Sequence, residues 1–182
     1  MIDAKVRQLA EFSVPAASVG AAAGLVAGGL AAFVGRPAGW AIVTGLGLAV
    51  PLAAFGIGYA VLLALGKLPP GVFAPAAVYW VIGFPLALMV HAIVTEWTVT
   101  GTSGLPADPW RFLAFRALLS MGFAIGFLWM HEQLGRHWWP RILDHNPYAR
   151  RVVTQYVELA TSLAERKAAT TRSRTNRRRT PA

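Results

Sequence analysis

Three ionisable residues interrupt stretches of this chain that otherwise hold almost no charge: His91 and Glu96 near the end of one apolar run, and Arg116 inside the next. A charged group facing lipid at membrane depth costs a few kcal/mol, so such residues line polar paths, pair with one another or snorkel to headgroups. At 1.5 Å per residue, counting back from the stretch that joins the two runs, His91 and Arg116 lie at similar depths, each about 10 Å below the surface. Glu96 lies nearer that surface, where Arg116 can reach toward it. The favoured reading is structural: Arg116 extends to headgroups and His91 hydrogen-bonds across helices. The alternative is a polar path through His91, Glu96 and Arg116 in a small oligomeric transporter or channel.

Other chemistry-bearing residues are dispersed. His131, Glu132, His137, Asp144 and His145 follow the fourth apolar run, but their spacing matches no helical ligand pair, and the adjacent His131 and Glu132 face different ways. Ser103 and Ser120 have no base that the sequence pairs with them, so a nucleophilic triad is unsupported. The glycines lie inside apolar runs, which is not the setting of a phosphate loop. With no cysteine, disulfides and thiolate metal sites are excluded. No cofactor or metal is implied, and a non-enzymatic role is expected. A lipid-converting enzyme acting between His131 and His145 is a lesser alternative.

The elements around these residues follow from composition. Of 182 residues, 55% are hydrophobic and 14% charged; the mean hydropathy is +0.49. That is too apolar for an ordinary soluble domain. A membrane span needs about 20 mostly apolar residues. Four runs qualify, at about 15–34, 41–65, 72–94 and 112–130, separated by Gly35-Arg36-Pro37, by Gly66 to Gly71 and by Thr98 to Pro109. The first is full length and reads as a retained span rather than a cleaved signal.

The expected class is all-α: a polytopic four-helix transmembrane bundle with a cytoplasmic amphipathic helix and a disordered basic C-terminal tail. Residues 1–13 form an interfacial segment, 14–131 the bundle, 132–167 an interfacial stretch and the amphipathic helix, and 168–182 the tail. Basic residues concentrate on one set of flanks, namely Lys5, Arg7, Lys67 and the region from Arg136 to Arg179, while Arg36 and Arg111 occupy the other. By the positive-inside rule both termini face the cytoplasm of a bacterial inner membrane.

Packing and docking residues can also be read. Ala16, Gly20, Gly24, Gly28 and Ala32 recur every fourth residue, a glycine zipper that lets a neighbouring helix approach closely, either within the bundle or from another membrane protein. Pro51 and Pro85 interrupt the second and third spans, as in broken helices, though no internal repeat supports a stand-alone carrier. Trp138 and Trp139, with Arg141, suit a headgroup layer and read as an interfacial anchor. Asn146 and Pro147 read as a helix cap and first position, followed by an apolar stripe through Val153, Tyr156, Val157, Ala160 and Leu163 that rests on lipid or docks a cytoplasmic protein. The Arg-rich end favours anionic lipid over nucleic acid.

With its zipper through Gly20, Gly24 and Gly28, its Trp138-Trp139-Pro140 anchor and its Arg-rich end, the chain resembles the small four-span membrane proteins of actinobacteria, some of which accompany large envelope machines. That resemblance implies an accessory or assembly subunit of a larger integral membrane complex. The first such complex to consider is the mycobacterial Mce lipid-import machine, where the zipper or the third and fourth spans would pack on a permease subunit. A respiratory supercomplex is the alternative, with Trp80, Trp97 or Trp110 against a lipid or quinone.

Overall fold

The computed structural model describes residues 2–102 and 104–179. Its elements are α1 (Ile2–Phe33), α2 (Ala38–Ala64), α3 (Phe73–Thr100), α4 (Pro109–Trp138), a short 3-10 turn (Trp139–Ile142) and α5 (Pro147–Arg179), with no strand among the described residues. The first four helices are each long and apolar enough to cross a membrane. Short connections reverse the chain after each of α1, α2 and α3. Gly35 and Gly101 make two of these reversals at φ of 79° and 75°, a left-handed geometry that glycine adopts without a Cβ penalty. Asp108 begins α4: its Oδ1 accepts from the Arg111 N–H at 3.0 Å, with Pro109 at the first helical position. One end of the bundle, the terminal end, therefore carries the start of α1, the α2–α3 turn and the root of α5. The far end carries the α1–α2 and α3–α4 connections.

The zipper packs within the chain. A Cβ on Gly20 would strike the backbone of Leu52, and one on Gly24 the backbone of Ala49. A Cβ on Gly28 would stand 2.9 Å from the Ala41 carbonyl oxygen, and one on Gly56 would strike the carbonyl of Ala16. Small residues on both helices thus set the α1–α2 distance. Ala32, the last member of the stripe, is exposed and takes no part. The α1 face available to lipid or to another protein is the opposite one, with Leu25, Val26, Leu30 and Phe33.

The interior between α2, α3 and α4 is a column of rings. Trp80 packs on Phe123 and Phe127 at centroid distances of 4.8 and 4.4 Å. Phe127 continues to Tyr59 and to His131, and His131 to Trp139, which stacks on Phe12 at 5.3 Å. On α4 the buried residues Ser120, Ala124, Phe127, His131 and Gly135 recur every three or four positions, which is the stripe a helix turns toward a core.

Residues 2–13 are helical and continue into the first span: α1 runs unbroken through Pro15. Pro15 has no N–H for the carbonyl of Glu11, a break that would ordinarily end or bend the helix. The Trp138 Nε1–H donates to that same carbonyl at 2.7 Å, and the Trp139 Nε1–H donates to the next, on Phe12, at 3.3 Å. The tryptophan pair replaces the missing donor and ties α1 to the end of α4. Trp138→Phe should therefore cost about 1–3 kcal/mol by orphaning a sheltered carbonyl. In a Pro15→Ala background, where the backbone N–H returns, the same change should cost less than half as much. Equal costs in the two backgrounds, measured by thermal unfolding in detergent, would refute the substitution of one donor for the other.

At the terminal end Asn146 is buried and acts as a rivet. Its Oδ1 accepts the N–H groups of Tyr148 and Ala149, capping α5, while its Nδ2 donates to the Gln8 carbonyl of α1 at 2.7 Å. The Gln8 side chain returns a hydrogen bond to the His145 carbonyl, and Arg151 Nη1 caps the end of α2 at the Ala64 carbonyl, 3.3 Å away. Residues 168–179, read from sequence as disordered, continue α5 as helix. No glycine or proline falls between Pro147 and Pro181 to stop it, and Ala, Arg and Lys propagate a helix that docking has already nucleated. Thr180 to Ala182, the remainder of that tail, lie outside the described residues.

Candidate functional site

His91, Glu96 and Arg116 line one cavity of about 560 Å³ at the far end of the bundle. All four spanning helices contribute to it, from Ala27 of α1 through Thr44 of α2 and Thr95 of α3 to Phe112 of α4. His91 lies against Gly47, which has no side chain to exclude the ring, and its Nδ1 is 3.4 Å from the Thr95 hydroxyl.

Arg116 rests on aromatic rings. Its guanidinium carbon sits 4.9 Å above the Phe112 ring centroid and 5.8 Å from that of Phe115. Its Nε is buried and meets no hydrogen-bond partner. Among the described residues no ion pair joins it to Glu96, although both face the cavity; the one ion pair there is His145 with Glu11, at 3.0 Å and the opposite end. The sequence placed the three residues at comparable depth. What it did not contain is the contact itself: the spacing puts Phe112 and Arg116 one turn apart on α4, but only the side-chain rotamers show that the guanidinium lies over the rings.

The anchor residues divide. Trp139 is 2% exposed and belongs to the ring column, Trp138 is half-buried against α1, and Arg141 alone of the three is exposed. Both indole N–H groups bind α1: that of Trp138 supplies the donor that Pro15 lacks, at Glu11, and that of Trp139 adds a second donor at Phe12. His131 is likewise a ring in the column, with both nitrogens buried and without hydrogen-bond partners. Ser120 donates within its own helix, to the Ala117 carbonyl at 2.6 Å, and Ser103 lies outside the described residues. No group of three or more His, Asp or Glu among the described residues stands close enough to hold a metal ion.

The apolar stripe of α5 also divides. Val152 is buried and Val153 partly buried against the bundle. Tyr156 stacks on Trp139 at 6.2 Å and donates to Glu132 Oε1 at 3.1 Å. Burial, reinforced by the adjacent Glu132 carboxylate, raises the Tyr156 phenol above its usual range and keeps it a donor. Beyond this point Val157, Ala160 and Leu163 are exposed, Val157 by 60% and Leu163 by 55%. The stripe is thus a root that closes the bundle followed by an uncovered arm. The helix continues from Val157 to Arg179, about 33 Å at 1.5 Å per residue, and most of the side chains over 157–170 are exposed.

Comparison with known proteins brings no match: no family model, curated protein or solved structure matches this chain.

Proposed function

We propose that the chain is a non-enzymatic accessory or assembly subunit of a larger membrane complex. It sits in a bacterial cytoplasmic membrane with both termini inside and engages its partner through the distal half of α5. The observation that carries this reading is the uncovered stripe of Val157, Ala160 and Leu163 on a helix whose root is hydrogen-bonded to α1 and α2. A rooted helix loses little further freedom when its free half meets a partner, so it suits docking of the helix-in-groove kind. The basic residues along α5 supply attraction to anionic lipid near the membrane and support an orientation with the terminal end inside. Because the zipper faces α2, the partner surfaces left are α5 and the exposed apolar sides of the four spanning helices. A lipid-import machine of the Mce kind is the first complex to look for, and a respiratory supercomplex the second.

A small oligomeric transporter or channel is favoured by one observation, the gathering of His91, Glu96 and Arg116 in a cavity. Against it, rings from Trp80 to Trp139 fill the interior between that cavity and the terminal end, so a route would have to form between copies.

The test is purification of N-terminally tagged protein from its native membranes in mild detergent, followed by mass spectrometry. Stoichiometric recovery with the subunits of one large complex is expected, with loss of those subunits from the double variant Val157→Ser, Leu163→Ser. Both positions are exposed, so the bundle should survive the change. Recovery of the wild type alone, as a monomer or homo-oligomer, overturns the accessory reading and favours the transporter. Undiminished recovery of partners with the double variant overturns docking through α5.

A further inference from the structure

We infer that the far-end cavity is a binding site for a zwitterionic aminophospholipid, with the phosphate on Arg116 and the ammonium on Glu96. The cavity, about 560 Å³, is in the size range of small-ligand sites. Its walls are mainly apolar, as Leu48, Leu88 and Phe112 illustrate, with a few polar groups converging from separate helices. Such a lining takes up an amphiphile rather than a hydrophilic solute.

Arg116 specifies the phosphate. A guanidinium has five N–H donors and no acceptor, and its planar fork matches phosphate oxygens. Here the rings of Phe112 and Phe115 hold the group while its buried Nε donates to nothing. An arginine at membrane depth without an anion is costly, and the phosphate of the headgroup layer just above it is the most abundant anion within reach. Thr44 and Thr95 add hydroxyl donors on the facing helices.

Glu96 turns a general anion site into a selective one. It lines the same cavity without pairing to Arg116, and it is exposed. Glu96 lies four residues before the end of α3 and Arg116 seven residues inside α4, so Glu96 is nearer the surface by about 5 Å at 1.5 Å per residue. The order from membrane interior to surface is apolar wall, cation, carboxylate. A phospholipid with an ethanolamine head presents the complementary order of acyl chain, phosphate and ammonium, whereas an anionic headgroup would bring a second negative or neutral group to Glu96. An acyl chain would leave between α1 and α4, since the hydrogen bonds and ring stacking that join α1 to the end of α4 and the turn after it lie at the terminal end. Phe115, Leu118 and Leu119 face outward on the far half of α4.

The experiment reads thermal unfolding of the full chain in detergent against added phosphatidylethanolamine, phosphatidylglycerol or inorganic phosphate. Native mass spectrometry counts the retained lipid. Phosphatidylethanolamine should raise the midpoint more than phosphatidylglycerol and be retained as one molecule, and inorganic phosphate should have little effect. Arg116→Gln should reduce retention of both lipids about tenfold, the size of one charge-assisted contact. Glu96→Gln should leave phosphatidylglycerol retention intact and bring the ratio of the two lipids to about one. Equal response of the wild type to both lipids, or an unchanged ratio in Glu96→Gln, overturns the aminophospholipid assignment. Stabilisation by inorganic phosphate alone would make the site one for a free anion. Should Arg116→Gln fail to fold, the wild-type ratio and the exposed Glu96 variant decide by themselves. None of these outcomes depends on what α5 docks.

Discussion

Replacing Gly24 with alanine is expected to separate α1 from α2. The new Cβ would fall on the backbone N, Cα and Cβ of Ala49, and a backbone cannot swing aside as the tip of a long side chain can. Overpacking ordinarily costs about 1–3 kcal/mol, and contact with a helix backbone puts this change at or above the upper end. Gly20→Ala should behave in the same way, since its Cβ would meet the Leu52 carbonyl group. Gly29→Ala is the control. Nothing stands within 4 Å of a Cβ there, and alanine favours a helix over glycine by about 1 kcal/mol, so its thermal midpoint should hold or rise. Disulfide cross-linking between engineered cysteines on α1 and α2 would report the separation directly. Similar midpoints for the Gly24 and Gly29 variants would mean that the zipper does not face α2.

Trp139→Ala is expected to have an effect at least as large, about 3–5 kcal/mol, the usual cost of emptying a buried aromatic site. The ring is stacked on Phe12, meets His131 edge-on and lies over Tyr156, and it fills the space left by Gly135, where any Cβ would collide with it. Its loss removes the contact that α1, α4 and α5 share at the terminal end. Beyond a lower midpoint, limited proteolysis should then cut at Arg141 and Arg150 well before the four helices are lost. Trp110→Ala serves for comparison, because that indole is 80% exposed and its removal should change stability little. A Trp139→Ala protein as resistant as wild type would show that α5 is held without the ring column.

The readable parts of this fold are those set by local chemistry. Four apolar runs longer than about 20 residues announce four long helices whatever their neighbours. Asn146 followed by Pro147 announces a helix start because the side-chain oxygen and the fixed φ act within one turn. The polar cavity was half legible: residue counting put His91, Glu96 and Arg116 at one end, but their pairing was unreadable because Arg116 chose two phenylalanine rings over a carboxylate. What Trp138 and Trp139 touch was not legible, since a Trp-Trp-Pro-Arg string suits a headgroup layer and the carbonyls that take the indole N–H groups lie on another helix. His131 was unreadable for a related reason. A histidine among ligand-type neighbours looks reactive in sequence, and only the ring stacking with Phe127 identifies it as a core aromatic.

The rivet at Asn146 sets an order on biosynthesis. The Glu11 carbonyl waits for a donor 127 residues downstream, and the Gln8 carbonyl for one 138 residues downstream. At about 5–20 residues per second, a ribosome takes on the order of ten seconds to deliver them. During that interval the first helix has its α2 partner at hand but no donor at its proline gap. These turns of α1 must therefore stay hydrated, or be held by an insertion factor, until the end of α4 and the Asn146 cap arrive. A chain truncated before Trp138 should accordingly be recognised by quality-control proteases at its N-terminus rather than at its cut end.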